Sequence, residues 1–112
     1  MATVPTRKAR FSVQEEQFES FEWNEAKRLQ NLKAHGIDFE DAATMFFRPY
    51  LRTRSDRNDE RRFVAIGLLK DLEIAVAYTA RGNICRIISA RRARRYERKE
   101  YHQALGPSPE ER

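Results

Sequence analysis

The chain has 112 residues, of which 40% are hydrophobic and 35% are charged, so it is long enough for one domain and too short for two ordinary ones. No apolar stretch approaches the roughly 18 residues of a membrane span, and the first twenty residues lack the apolar run of a secretory signal. Cys85 is the only cysteine, which excludes an internal disulfide and a cysteine-rich zinc site. We therefore expect a cytoplasmic protein that needs neither a metal ion nor another cofactor.

The positive charge is concentrated in the C-terminal part of the chain. The formal net charge is +5, and residues 81–99 hold eight basic residues against one acidic residue, with arginine outnumbering lysine. The planar guanidinium group suits bidentate contacts with phosphate and stacking on exposed bases. This pattern predicts a surface that binds nucleic acid with salt-dependent affinity. A solubilising basic helix and a docking surface for an acidic protein are the alternatives.

The chain order predicts one domain with a loose segment at each end. Residues 1–20 have balanced charge and no clear period, and they are predicted to form an N-terminal arm, part of which Phe11, Val13 and Phe18 pin to the body. Residues 21–105 are predicted to form the single domain. Residues 106–112 are predicted to be a flexible tail.

Two helices are predicted after the arm. Asn24 is a suitable N-cap and Gly36 a suitable C-terminal stop, which places the first helix at 25–35. Asp38 is the next N-cap, and an apolar stripe at helical spacing follows it. Because the residue before a proline disfavours helical geometry, the second short helix is predicted to end before Pro49.

After Pro49 the hydrophobic period changes, and the chain predicts a sheet followed by a helix. Four short segments rich in β-branched and aromatic residues are separated by turn-like stretches: 50–54, 62–68, 73–80 and 84–89. Ser89 is a suitable cap for a final helix that ends at Gly106-Pro107. The predicted fold is α+β, with two N-terminal helices, an antiparallel meander sheet of about four strands and a C-terminal helix.

Lys33 and His35, near the end of the first helix, are candidate proton carriers. RNA cleavage without a metal ion requires a base for the 2′-hydroxyl, a proton for the leaving 5′-oxygen and cations that stabilise the phosphorane. Histidine is the usual proton carrier near neutral pH. Because they are two positions apart, the two side chains converge only if the helix unwinds before Gly36. The alternatives are a His35 that binds the last helix carbonyls and a solvated Lys33.

Arg86 is a further candidate because it interrupts an otherwise apolar strand. A guanidinium group there must reach water, a carboxylate or a ligand. A structural salt bridge to Glu73 or Glu22 is the alternative to a role in catalysis.

Basic and aromatic residues near the C-terminus offer further contacts with RNA. The six basic residues of 91–99 are predicted to form a binding surface rather than to act as individual catalysts: Arg91, Arg92, Arg94, Arg95, Arg98 and Lys99. Three tyrosines are most simply core or edge aromatics, although any one of them could stack on a base: Tyr78, Tyr96 and Tyr101.

Several stretches of the chain resemble the BrnT-type toxins. They are FEWNEAK at 21–27, NLKAHGIDFEDA at 31–42, RFVAIG at 62–67, and RIISARRA at 86–93 with Glu97 and Tyr101 at the expected distance. The likeness runs from about Phe21 to Tyr101, with the motifs in the family's order. Asn24 stands where the family commonly has Asp, and both residues cap helices well.

The resemblance implies the toxin of a bacterial type II toxin–antitoxin system, with a RelE-like fold and an endoribonuclease activity that inhibits growth. The family's antitoxin is typically a small protein with a ribbon-helix-helix DNA-binding part, and the complex represses its own operon. Operator DNA is therefore expected to be bound only through the antitoxin complex. The first twenty residues extend beyond the family's usual start, so they are either an arm that contacts the antitoxin or the result of a different start site.

Carried over residue by residue, the family motif points to a catalytic group of Lys33, His35, Arg86 and Arg91. His35 or Lys33 would transfer protons and the arginines would stabilise charge, with Arg81 and Arg92 as supporting phosphate contacts. We expect the guanidinium groups to gather in a single pocket. A non-catalytic nucleic-acid-binding module and a protein-interaction module are the alternatives to a ribonuclease.

Overall fold

The computed structural model describes residues 11–15 and 17–106. Much of the predicted N-terminal arm and of the predicted tail, residues 1–10 and 107–112, therefore lies outside the described residues. No helix in the described part of the chain is both long and apolar enough to cross a membrane.

Within this range the chain forms a six-stranded sheet and three α-helices. The strands are β1 (Ser12–Gln14), β2 (Ser20–Glu22), β3 (Tyr50–Arg54), β4 (Phe63–Leu69), β5 (Leu72–Arg81) and β6 (Ile84–Arg92). The helices are α1 (Glu25–His35), α2 (Phe39–Ala42), which continues as a 3₁₀ helix over Ala43–Phe47, and α3 (Arg95–Leu105). The strands lie side by side in the order β1-β3-β4-β5-β6-β2.

The α+β class is confirmed, but the sheet is larger than predicted. Strands β3 to β6 form an antiparallel meander. To it, β1 adds antiparallel to β3, with Val13 opposite Leu51, and β2 adds parallel to β6, with Phe21 opposite Cys85. The predictions of about four strands and of an entirely antiparallel sheet were wrong, as was the prediction that helices open the fold. Strands of three residues are too short to show a period, and these two form because the meander edges offer unpaired backbone groups.

Helix α1 has the bounds that its capping residues predict. It spans Glu25–His35, and the Asn24 side chain accepts a hydrogen bond at 3.0 Å from the backbone N–H three residues on. Gly36 ends the helix with a left-handed φ of 72°. The second helix begins after Asp38 as predicted, but only four residues are α-helical before the 3₁₀ segment.

The last strand is longer and the last helix shorter than predicted. β6 pairs with β5 as far as Arg92 and α3 begins at Arg95, so the prediction that Ser89 caps the last helix was wrong. The side-chain amide of Asn31 explains the difference, because it accepts a hydrogen bond from Ala90 N at 3.1 Å and donates one to Ala90 O at 2.9 Å. β2 pairs with β6 only as far as Arg86. Beyond that point, Asn31 of α1 satisfies the backbone of Ala90 at the edge of the sheet, so β6 remains extended.

Apolar side chains are buried on both faces of the sheet. On one face, α2 and the 3₁₀ helix contribute to the larger core, in which Phe39, Phe46 and Tyr78 are buried. On the other face, α3 packs against β3 and β4 over a smaller core that includes Ile66 and Tyr101. The two cores hold the sheet between helical layers and fix the positions of the side chains described next.

Candidate active site

An extra residue in β6 brings two predicted catalytic arginines to the same face of the sheet. Arg86 lies opposite Thr79 of β5 and Arg91 lies opposite Ala75, so six residues of β6 span five residues of β5. The residue without a partner is Ile88. In a regular strand, residues five positions apart project to opposite faces, so this β-bulge is what places both arginines on the α3 side. Bulges of this kind are common next to active sites.

Arg91 is held by a buried carboxylate. Its Nη1 and Nη2 atoms donate to Glu97 Oε1 and Oε2 at 2.8 and 3.0 Å, and Glu97 is only 3% exposed. Burial opposes ionisation of Glu97, but hydrogen bonds from Arg91 and from the backbone N–H of Arg94 outweigh it, so the pKa of this carboxyl lies below its ordinary value. The bidentate pair fixes the Arg91 guanidinium beside the N-terminus of α3.

Arg86 has a looser partner. Its Nη1 atom lies 3.4 Å from Glu22 Oε1 on β2, and the two side chains are 40% and 43% exposed. The salt bridge to Glu22, an alternative that the sequence left open, is thereby confirmed. Exposed pairs of this kind contribute about 0–1 kcal/mol. Breaking this ion pair would therefore cost little stability.

His35 lies in a second, separate feature, an open cleft of about 390 Å³. The cleft is formed by α1, the β3–β4 hairpin and the bulged part of β6, and its lining is Lys27, Gln30, Asn31, Ala34, His35, Arg57, Arg62 and Ile88. None of these described residues carries a carboxylate. A cleft with three permanent cations, one imidazole and no acid favours a phosphodiester as its ligand.

The β3–β4 hairpin carries Arg57 and Arg62 into this cleft. At its tip Asn58 and Asp59 have φ of 50° and 63°, a left-handed geometry that Asn and Asp tolerate better than other non-glycine residues. Backbone hydrogen bonds of 3.0 and 2.8 Å between Arg57 and Glu60 close the turn. Glu60 Oε1 also accepts a hydrogen bond from Arg62 Nε at 2.6 Å. Arg57 forms no ion pair with any residue that the structure describes.

Lys33 does not join His35 in the cleft. Helix α1 remains regular through His35, so side chains two positions apart project in different directions, and Lys33 is exposed outside the lining. Arg81, a predicted supporting phosphate contact, is exposed at the end of β5. Arg92, the other one, has its Nη2 atom 3.9 Å from Glu73 Oε1.

The basic residues of α3 form another surface. Arg95, Arg98 and Lys99 line an open cleft of about 450 Å³ together with His102 and Gln103, and Arg94 is exposed just before the helix. This cleft, like the one around His35, is lined by neither Arg86 nor Arg91. These two clefts therefore do not gather all of the predicted guanidinium groups. The reason is that carboxylates of β2 and α3 hold the two arginines along the sheet face.

Neither cleft is built like a metal centre. Across residues 11–15 and 17–106, no group of three or more His, Cys, Asp or Glu side chains is placed to hold a metal ion. The chemistry that these clefts offer is that of nitrogen cations and imidazole rings.

Sequence reasoning did not single out Lys27, Arg57 and Arg62, which line the candidate cleft. The spacing of Lys27 and His35, eight residues and just over two helical turns, was a signal that both lie on one side of α1. No comparable signal exists for the two arginines, because nothing in a turn-like segment between strands indicates that it folds towards α1.

The sequence matches a family model. This is the model of the ribonuclease toxin BrnT of type II toxin–antitoxin systems, and it covers residues 23–97. No curated protein matches the chain. The matched range contains the whole lining of the His35 cleft and both Arg86 and Arg91. Because the match spans more than half of the chain, the protein belongs to the BrnT family of ribonuclease toxins.

Proposed function

We propose that this chain is a metal-independent endoribonuclease that cleaves RNA by attack of a ribose 2′-hydroxyl on the adjacent phosphorus. The observation that carries the proposal is the cleft around His35, which has cations and no carboxylate in its lining. Through Ile88 the cleft adjoins the sheet face that bears Arg86 and Arg91. A single RNA strand can therefore contact both features at once.

His35 is proposed to move the proton. It takes the proton of the 2′-hydroxyl as the bond from the 2′-oxygen to phosphorus forms, and returns it to the 5′-oxygen as that group leaves. The products are a 2′,3′-cyclic phosphate and a 5′-hydroxyl. Lys27, Arg57 and Arg62 would stabilise the charge that develops on the phosphate oxygens.

Arg86 and Arg91 are proposed to complete the catalytic group. Arg86 would exchange Glu22 for a phosphate, whereas Arg91, held in place by Glu97, would present a fixed cation beside it. Lys33 is exposed on α1, and its proposed role is a contact with a neighbouring phosphate.

The surface around α3 is proposed to bind the rest of the RNA strand. Residues 91–99 contain one acid, Glu97, which is buried and bound to Arg91, so the exposed charges of this segment are all positive. The proposed RNA contacts are Arg81, Arg92, Arg94, Arg95, Arg98 and Lys99. Affinity is expected to fall steeply with salt, because phosphate contacts release counterions.

Cleavage by the purified chain tests the proposal. In the presence of EDTA, the chain freed of any partner should cut RNA and leave 2′,3′-cyclic phosphate ends. The double variant His35→Ala with Arg86→Ala should lose at least about 100-fold in rate, the lower range for general acid–base catalysis, while thermal unfolding shows an intact fold. Lys70→Gln, which removes an exposed cation from the β4–β5 turn, is the matched control and should cut normally.

Other outcomes of the same assay count against the proposal. Equal cutting by the double variant and the wild type would show that the site is elsewhere. Salt-sensitive binding without products would support a non-catalytic nucleic-acid-binding module.

In the cell, we infer that the chain acts in the cytoplasm as a growth-inhibiting toxin. The proposed partner is a cognate antitoxin with a ribbon-helix-helix part, through which the complex binds operator DNA. Induced expression of the chain should arrest growth, and co-expression of a neighbouring reading frame of that kind should relieve the arrest. Unimpeded growth on expression of the active chain alone would refute this role.

A further inference from the structure

Tyr96 differs from the other tyrosines of the chain. Tyr50 and Tyr78 are fully buried and Tyr101 is 6% exposed, whereas Tyr96 is 55% exposed on the first turn of α3. Within the described residues the ring has no hydrogen bond and no aromatic contact. Tyrosine also has a lower helix propensity than the arginines and lysine around it. The position therefore contributes little to folding, and an external contact accounts for it better.

Basic residues lie close to Tyr96 along α3. Arg95 precedes it, and Lys99 follows three residues later, a spacing that brings side chains together on a helix. Both line the open cleft of α3. The pKa of Arg91 is raised mainly by its hydrogen bonds with Glu97, and the nearby phenol of Tyr96 contributes as well. Tyr96 thus lies on the first turn of α3, beside Arg95 of the cleft and one turn before Lys99.

We propose that Tyr96 is a stacking platform for an unpaired base of an RNA strand whose phosphates bind Arg95 and Lys99. The inference rests on the proposed function, since it takes RNA as the ligand. Proteins that bind single strands combine a positively charged groove with an aromatic side chain on which a base stacks. A duplex hides the faces of its bases, so the chain should prefer single-stranded RNA.

Binding is tested separately from cleavage with a fluorescent RNA of about ten nucleotides whose 2′-O-methyl riboses lack the attacking hydroxyl. In fluorescence anisotropy, Tyr96→Ala should weaken binding about 5- to 150-fold, the equivalent of the roughly 1–3 kcal/mol found for one stacked base. Tyr96→Trp should retain binding. Leu29→Ala, which removes an equally exposed apolar side chain from α1, is the matched control and should bind as the wild type does.

Salt dependence distinguishes stacking from charge. Tyr96→Ala removes no phosphate contact, so the slope of log affinity against log salt should stay at the wild-type value. Lys99→Ala should lower the magnitude of that slope by about 0.7, the value for one phosphate of a single strand. An abasic nucleotide placed at each position of the RNA in turn should remove the effect of Tyr96→Ala at one position.

The results separate this inference from the nuclease proposal. If Tyr96→Ala binds the RNA within about twofold of wild type, the stacking role is overturned. The same holds if the substitution weakens binding of duplex RNA as much as binding of single-stranded RNA. It also holds if the substitution weakens binding only to a protein partner. If the wild type cuts unmodified RNA in that case, only the stacking role fails. If binding depends on Tyr96 but no RNA is cut, the stacking role stands and the nuclease proposal fails. A wild-type chain that does not bind RNA overturns both.

Discussion

Glu97→Gln tests whether a buried carboxylate holds Arg91 in place. The substitution keeps the shape of the side chain and removes its charge. Two hydrogen bonds from Arg91, at 2.8 and 3.0 Å, and one from Arg94 N, at 2.7 Å, end on this carboxylate. Loss of one partner of a buried pair destabilises by about 3–5 kcal/mol. Because the Arg91 side chain is 25% exposed, we expect the lower end of this range, about 3 kcal/mol. The free energy of unfolding of a whole domain is typically about 5–15 kcal/mol.

Urea unfolding followed by circular dichroism measures this loss at pH 7. Glu100→Gln, on the same helix, is the matched control, because Glu100 forms no ion pair with a described residue. The folded-state pKa of Glu97 is below its ordinary value of 4.5. Its contribution is therefore fully present above pH 4.5 and is lost as the pH falls through the folded-state pKa. The difference between wild type and Glu97→Gln should narrow on acidification. Equal stability at pH 7, or a difference that does not narrow, would refute the reasoning.

Three further tests address other parts of the fold. Asn31→Ala leaves the buried N–H and C=O of Ala90 unpaired, so we expect the free energy of unfolding in urea to fall by about 2–4 kcal/mol. A fall below about 1 kcal/mol would contradict the conclusion that α1 satisfies the edge of β6. Gly36→Ala should destabilise by about 1 kcal/mol through strain at φ 72°, because nothing lies within 4 Å of the new Cβ. Gly36→Asn should recover part of this loss, and equal losses for the two variants would argue against strain. Burial raises the pKa of the Cys85 thiol to about 12, so mass spectrometry should detect iodoacetamide labelling of the unfolded chain only, and rapid labelling of the native chain would contradict its burial.

The division of the site has a consequence for how the arginines act. Glu22 and Glu97 both hold an arginine on the same sheet face, but the first pair is half exposed and the second is buried. Arg86 is therefore held less firmly by its carboxylate than Arg91 is. The prediction of a single pocket treated the two arginines as equivalent, and burial of their partners is what distinguishes them.

Features that depend on short-range interactions were predictable from the sequence alone. The bounds of α1 follow from Asn24 and Gly36, whose capping groups lie within a few residues of the backbone that they satisfy. The central residues of strands β3 to β5 were predictable from their hydrophobic pattern. The basic surface of α3 was predictable because arginine and lysine side chains remain at protein surfaces. The ordered motifs were likewise sufficient to indicate the family.

Features that depend on pairing between distant segments were decided only by the tertiary structure. β1 and β2 exist because the meander has free edges, and β6 continues to Arg92 because Asn31 satisfies the backbone of Ala90. Arg86 and Arg91 share a face because Ile88 is inserted between them. In each case the stabilising contact forms only after the rest of the chain has brought its two partners together. No local stretch of sequence therefore contains it.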